Sequence, residues 1–279
     1  MGRPEIRELK KKAIALRKDI LRMLSEAGSG HTGGSLSSVE IFTALYYYKM
    51  RHDPRRPEWR ERDRFILSKG HGCPTLYAVL ADCGYFPREE LMTLRKFGSR
   101  LQGHPHYGLP GVETSSGSLG QGLSIANGMA LVARMEALPS RIFCLMGDGE
   151  TNEGQVWEAA MTAAHYRLDN LCAIIDLNRL QIDGPCCDVK NTAPMNQKWE
   201  AFGWQVIDVD GHDVGALMDA LDRAEACKGK PTMLICCTVK GKGVSFVENK
   251  VDWHGITPKK DELERALKEL DELARKEGV

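Results

Sequence analysis

Apolar residues recur at three- to four-residue spacing over Ile6, Leu9, Ala13, Leu16, Ile20 and Leu24, and the pattern stops at Gly28. That period keeps one face of a helix apolar, and glycine commonly follows a helix end. Pro4 suits the first turn of this helix. The same reasoning predicts helices over 38–50, 74–83, 87–97, 123–138, 153–167, 194–202, 214–227 and 259–277, the last a charged, solvated terminal element. Between them lie short apolar runs of strand length at 64–67, 141–146, 171–177, 204–210 and 231–239. Strands that alternate with helices predict crossover connections and parallel pairing. The expected fold class is α/β, a doubly wound, mostly parallel sheet with helices on both faces. With no linker, repeat or low-complexity tract, residues 1–279 read as a single domain.

Composition removes several alternatives. Lys+Arg and Asp+Glu balance at 38 each, so no global field favours nucleic acid or an anionic membrane. The basic stretch 51–64 is interrupted by Asp53, Glu58, Glu61 and Asp63 and reads as a solvated loop. No secretory signal opens the chain and no apolar run approaches membrane-spanning length, so a cytoplasmic protein is expected. Nine cysteines lack Cys-x-x-Cys spacing and fall mostly in apolar runs, as buried reduced thiols do.

The candidate chemistry sits just past the strands. The run ending at Met146 stops at Gly147-Asp148-Gly149, with a helical pattern from about Glu153. A strand, a glycine turn and a helix N-terminus form a layout that places an anion on backbone N–H groups. Thirty residues after Asp148, Asn178 follows the next strand. A carboxylate and an amide oxygen at adjacent strand ends line the crevice of an open α/β sheet, and such hard oxygen donors suit Mg²⁺ shared with phosphate. Gly-Asp-Gly alone would be only a strand-ending turn; its pairing with Asn178 favours a magnesium–diphosphate clamp.

Four histidines lie in glycine-rich segments. His31 is in the loop Gly28–Gly34, where backbone can approach a ligand closely. His71 marks a strand-to-helix junction, and His104 and His106 share a Gly/Pro loop. Zinc is rejected there, because no third ligand has recognisable spacing. His254, on its residues alone, is an ordinary loop position. Ser116–Gly122 reads first as the cap of the following helix, and Tyr46–Tyr48 as core or interface. Lys240–Gly243 offers a weak phosphate cradle without Walker spacing.

Taken in order, Ser25–Gly34, Leu67–Gly72, Gly103–Pro105, Ser116–Gly122, Gly147–Asn178 and Asp208–Asp213 resemble the motifs of transketolase. The resemblance spans nearly the whole chain but only the N-terminal half of a full-length transketolase. It implies the thiamin diphosphate-binding fold, with thiamin diphosphate and Mg²⁺ (or Ca²⁺) as cofactors. Asp148, Asn178 and the Leu180 carbonyl would hold the metal. His71, Gly149 and His254 would contact diphosphate, and Gly117, Leu119 and Ile182 complete the cofactor shell. His31, His104 and His254 would bind substrate and act in catalysis. Glu153 would lie at a subunit interface in the cofactor region; the competing reading is a simple helix cap. Ser118 stands where full-length transketolases commonly have proline.

The group that grips the cofactor's aminopyrimidine is, in the family, a glutamate of a separate domain. The resemblance therefore implies the N-terminal subunit of a split transketolase. That subunit would be silent alone and active with a C-terminal subunit in an assembly of two copies each. The expected reaction moves a two-carbon ketol unit from a ketose phosphate to an aldose phosphate, as in the pentose phosphate pathway. The rivals are half of a deoxyxylulose-phosphate or dihydroxyacetone synthase, or a non-catalytic thiamin diphosphate-binding regulatory module.

Overall fold

In the computed structural model, which describes residues 2–279, all five expected strands form: β1 (Arg64–Leu67), β2 (Ile142–Gly147), β3 (Leu171–Leu177), β4 (Gln205–Asp210) and β5 (Thr232–Cys237). They build one sheet in the order β1-β2-β3-β5-β4, and every pairing is parallel. The helices in chain order are α1 (Ile6–Ala27), α2 (Thr32–Leu36), α3 (Val39–Ala44), α4 (Cys73–Cys83) and α5 (Gln121–Met135). They continue with α6 (Gly154–His165), α7 (Cys186–Val189), α8 (Met195–Ala201), α9 (Val214–Ala226) and α10 (Lys260–Glu277).

Strand side chains alternate between two separate cores. From β2, Phe143 and Leu145 enter the core shared with α1, α3, α4, α9 and α10, while Ile142, Cys144 and Met146 enter the core shared with α5, α6 and α8. Helices thus cover both faces, which is why the central strands are apolar without alternation. Because all strands run the same way, the segments after β1, β2, β3 and β5 converge at one edge, where an α/β sheet takes its ligand.

Several boundaries differ from the sequence reading, each for a local reason. Pro4 lies outside α1, whose N-cap residue is Glu5; at the other end Gly28 adopts φ +62° and donates its N–H to Leu24. The expected helix 87–97 is a 3-10 segment over Arg88–Thr93 that ends at Leu94 (ψ 126°); the next residue, Arg95, has φ +60° and its N–H on the Leu101 carbonyl. The expected helix 38–50 is α3 followed by a π-turn over Leu45–Lys49. The expected loop 28–34 becomes helical at Thr32, and all of α2 is buried. Its small residues allow this: a Cβ on Gly33 would lie 2.9 Å from Lys240 Cγ and 3.0 Å from the Trp253 carbonyl oxygen. A 3-10 turn over Gly149–Asn152 separates Asp148 from α6. The terminal α10 is not merely solvated, since Ala266 and Leu270 are buried against the α1 side of the core. All nine cysteines are free, and most are buried; Cys187 and Cys237 are exposed. Among the described residues no helix is long and apolar enough to cross a membrane.

Candidate functional site

Asp148 follows β2 and is 2% exposed. Its carboxylate accepts the Gly149 N–H at 2.8 Å and the Arg179 N–H at 2.7 Å, and Cys186 Sγ lies 3.5 Å away. Burial, and then the nearby Asp176 charge, push its pKa up to about 6. It is a buried carboxylate held by backbone donors, with no cationic side chain paired to it among the described residues. Asn178, just past β3, is also buried; its Oδ1 accepts the Leu180 N–H at 3.2 Å. The Leu180 carbonyl accepts from Lys240 Nζ at 3.2 Å.

Lys240 connects this clamp to the histidines, because its Nζ also lies 2.6 Å from His254 Nδ1. The ring centroid of His254 is 5.6 Å from that of His31 and 5.5 Å from that of His71. His31 is in turn 5.3 Å from His71 and 6.2 Å from His104. Four imidazoles from segments far apart in sequence form one wall. Burial is the main cause that lowers all four pKa values, with neighbouring cations second. His31 and His254 fall to about 4, so both are neutral at physiological pH. His31 Nδ1 is buried without a hydrogen-bond partner, which marks a place for a ligand atom.

Three supports fix this wall. Buried Tyr77 of α4 donates its hydroxyl toward the Gln102 and His104 carbonyls, at 2.9 and 3.1 Å. Gly117, at φ +138°, packs on the His104 ring, where a Cβ would meet Cδ2 at 2.9 Å. Glu150 accepts from the Ser68 hydroxyl, from the Gly120 N–H at 2.9 Å and from the Gly147 N–H at 3.1 Å, tying the 116–122 loop to the ends of β1 and β2.

A second hub lies beneath. Lys69, 1% exposed, donates to Asp176 Oδ2 at 2.5 Å and to the Gly34 carbonyl at 2.8 Å. Asp176 also accepts from Ser37, Thr238 and Asn178 Nδ2. Burial alone would raise its pKa; Lys69 and these donors outweigh that and lower it. Asp176 thereby orients Asn178.

The expected residues His31, His71, His104, His254, Asp148, Asn178 and Leu180 are thus brought together, with Gly149 bonded to Asp148 and Gly117 beneath His104. Leu119 is half-buried in the loop that Glu150 holds. Ile182 stands 65% exposed on the turn after Leu180. Glu153 is exposed and makes no side-chain capping bond to α6, so the capping reading lacks its hydrogen bond. Sequence reasoning missed Lys69, Glu150 and Asp176, and it undervalued Lys240. A lysine inside the strand-to-helix segment Ser68–Gly72 was the one signal for Lys69. Lys240 was visible only as a poor phosphate-loop match.

A cavity of about 1200 Å³ adjoins Asp148, Asn178 and Leu180 but none of the four histidines. The histidines wall an open face, with His104 exposed, so enclosure is a poorer guide here than the donor set. One carboxylate, one amide oxygen and one carbonyl fit a hard divalent cation. The uncompensated Asp148 charge and the orphaned His31 nitrogen both agree with a cation and a polar ligand in this crevice.

Residues 9–272 match the family model described as transketolase, thiamine diphosphate binding domain. The chain is 45% identical over 273 residues to the 6-deoxy-6-sulfo-D-fructose transketolase subunit SqwG of Clostridium sp. (strain MSTE9), covering 98% of both chains. It is 46% identical over 266 residues to an apulose-4-phosphate transketolase subunit of Actinobacillus succinogenes, covering 94% of this chain and 96% of that one. The solved transketolase of Campylobacter jejuni superposes with a TM-score of 0.91 at 31% identity, over 96% of this chain but 43% of that one. The chain therefore spans less than half of such transketolases.

Proposed function

The chain belongs to the transketolase family, as its thiamine diphosphate-binding domain, and from that premise we propose that it is the N-terminal subunit of a two-chain transketolase. Residues 1–279 form the diphosphate- and Mg²⁺-binding domain. The pyrimidine-binding glutamate comes from a separate C-terminal subunit, in an assembly of two copies of each. The observation that carries this reading is the continuity from the Asp148–Asn178–Leu180 clamp through Lys240 to four neutral imidazoles. Relatives that span the same length are named as subunits, which supports a partner chain.

Asp148, Asn178 and the Leu180 carbonyl hold the divalent cation, read as Mg²⁺. Lys240, His71 and His254 would meet diphosphate; the Gly149 N–H, expected to join them, is instead taken by Asp148 Oδ1 at 2.8 Å. Gly117, Leu119 and Ile182 would complete the cofactor shell, and exposed Glu153 would face a neighbouring subunit. Thiamin diphosphate, when bound, supplies the carbon nucleophile and electron sink for breaking a ketose C2–C3 bond. His31, His104 and His254 direct hydrogen bonds at the hydroxyl and carbonyl oxygens where charge develops. With pKa values near 4 for His31 and His254, these rings act as neutral donors and acceptors. Lys240 takes the Nδ1 lone pair of His254 and leaves its proton on Nε2.

The donor is a ketose that carries a terminal anionic group. The pentose phosphate pair is one choice, and the sulfonated or phosphorylated sugars in the relatives' names are the other. Ketol transfer from xylulose 5-phosphate or 6-deoxy-6-sulfofructose to an aldose phosphate should be assayed with Mg²⁺ and thiamin diphosphate. The chain would be tested alone and with a candidate C-terminal subunit. Activity only in the mixture is expected. Activity of the chain alone would refute the two-chain reading. Tight cofactor binding without transfer from either donor would favour the regulatory-module reading.

A further inference from the structure

His212, in the turn after β4, belongs to a matched motif that supplies nothing directly to the clamp or to the histidine wall. Both of its ring nitrogens are nevertheless committed. Nε2 accepts the Val239 N–H at 2.8 Å, so the ring proton sits on Nδ1, 2.9 Å from Glu40 Oε2. Glu40 is buried in α3 and takes Arg17 of α1 on both oxygens, at 2.5 and 2.8 Å. Arg17 Nε donates onward to the Lys242 carbonyl at 2.9 Å.

A buried ion pair by itself is weak grounds for either stability or function, because desolvation offsets its attraction. Here the remaining valences of the pair converge on one turn. His212 holds the Val239 N–H at its start, and Arg17 holds the Lys242 carbonyl at its end. The Gly241 N–H is bonded to the Gly33 carbonyl at 3.0 Å. Gly243, at φ +97°, leaves room for Arg17, whose Cδ and Nε a Cβ would approach to 3.0 Å. Between these anchors lies Lys240, 1% exposed, with the Leu180 carbonyl and the neutral His254 ring as its polar contacts. A flexible four-carbon stem holds its ammonium at one point only if the backbone beneath it is fixed.

We propose that Arg17, Glu40 and His212 are positioning residues that fix the Val239–Lys242 turn, so that the Lys240 ammonium meets the cofactor's diphosphate between the metal clamp and His254. The proposal rests on the cofactor reading above. Burial would raise the Glu40 pKa, but Arg17 and His212 outweigh it and hold the carboxyl at about 2, so this brace stays charged at any working pH. The partners reach the turn from α1, α3 and the β4–α9 connection, so no local sequence pattern announces it.

Two readouts on the full chain test the proposal. The first is amide hydrogen exchange of the segment 236–243, without cofactor. The second is calorimetric affinity for thiamin diphosphate with Mg²⁺, alone or with the C-terminal subunit. His212→Leu should speed exchange in that segment and weaken affinity about tenfold, the loss expected for one strong hydrogen bond. His212→Gln keeps a donor and an acceptor and should restore both. In a Lys240→Ala background, His212→Leu should cost no further affinity, because both changes act through one group. Additive losses, or unchanged exchange, would overturn the proposal. If His212→Leu does not fold, Glu40→Gln takes its place in the same cycle. Failure of the wild-type protein to bind thiamin diphosphate would overturn the cofactor reading, and Lys240's role with it. Wild-type binding that His212 variants leave intact would overturn the positioning role alone.

Discussion

Replacing Asp148 with asparagine should stabilise the cofactor-free protein while removing its hold on a divalent cation. Burial and Asp176 raise this carboxyl from the ordinary 3.8 to about 6. That difference opposes folding by about 3 kcal/mol at neutral pH. Part of it is lost in the variant. The carboxylate accepts the Gly149 and Arg179 N–H groups on different oxygens, and an asparagine must turn its NH₂ toward one of them. A buried donor left without an acceptor costs about 1–2 kcal/mol, so the net gain is about 1–2 kcal/mol. The pH dependence has a definite sign. A carboxyl whose folded pKa lies above its unfolded value opposes folding fully above the folded value, and not at all below the unfolded one. The variant's advantage should therefore be present at about pH 7.5, shrink through about pH 6, and vanish or reverse by about pH 4. Urea unfolding with a chelator, at several pH values, measures this directly. Adding Mg²⁺ and thiamin diphosphate should stabilise the wild type and leave the variant unmoved. A variant less stable than wild type at pH 7.5, or a gap that does not narrow on acidification, would refute the assignment of Asp148 as a buried, uncompensated charge.

Asp176→Ala leaves Lys69 charged and unpaired at 1% exposure, which should cost about 3–5 kcal/mol by denaturant midpoint; a loss below about 1 kcal/mol would contradict the hub. Gly122→Ala places a Cβ 2.4 Å from Ser68 Cβ and Oγ and 2.8 Å from Cα, forcing α5 away from the Ser68–Glu150 bond. It should destabilise by about 1–3 kcal/mol, and an unchanged melting temperature would refute that account. His104→Ala in the assembled enzyme should slow turnover about tenfold or more, with thiamin diphosphate affinity nearly intact, because the residue is exposed and its ring adjoins the wall through His31. Loss of cofactor binding instead would move His104 into the cofactor shell.

What the sequence by itself determined follows from period and order. Continuous apolar runs between amphipathic segments specified five strands, their crossover helices and the parallel sheet, since only burial on both faces tolerates such runs. The Gly-Asp-Gly turn and Asn178 marked two strand ends that lie side by side, because strand ends in such a sheet are adjacent wherever their strands pair. The ordered motifs identified the family on which the histidine roles rest. Local rules failed where a residue's partner is distant. The chain leaves helical geometry at Leu94, just before Arg95 at positive φ, where its neighbours favoured a helix, and the buried helix α2 replaced a loop, with Lys240 and Trp253 packed against Gly33 and His71 against Gly34. Only the tertiary structure decided that Lys240 joins the Leu180 carbonyl to His254, that Asp176 is neutralised by Lys69, and that Arg17, Glu40 and His212 grip the turn beneath Lys240. Those contacts cross 14 to 225 residues of chain, and hydrogen bonds between such distant groups leave no period or spacing to be read.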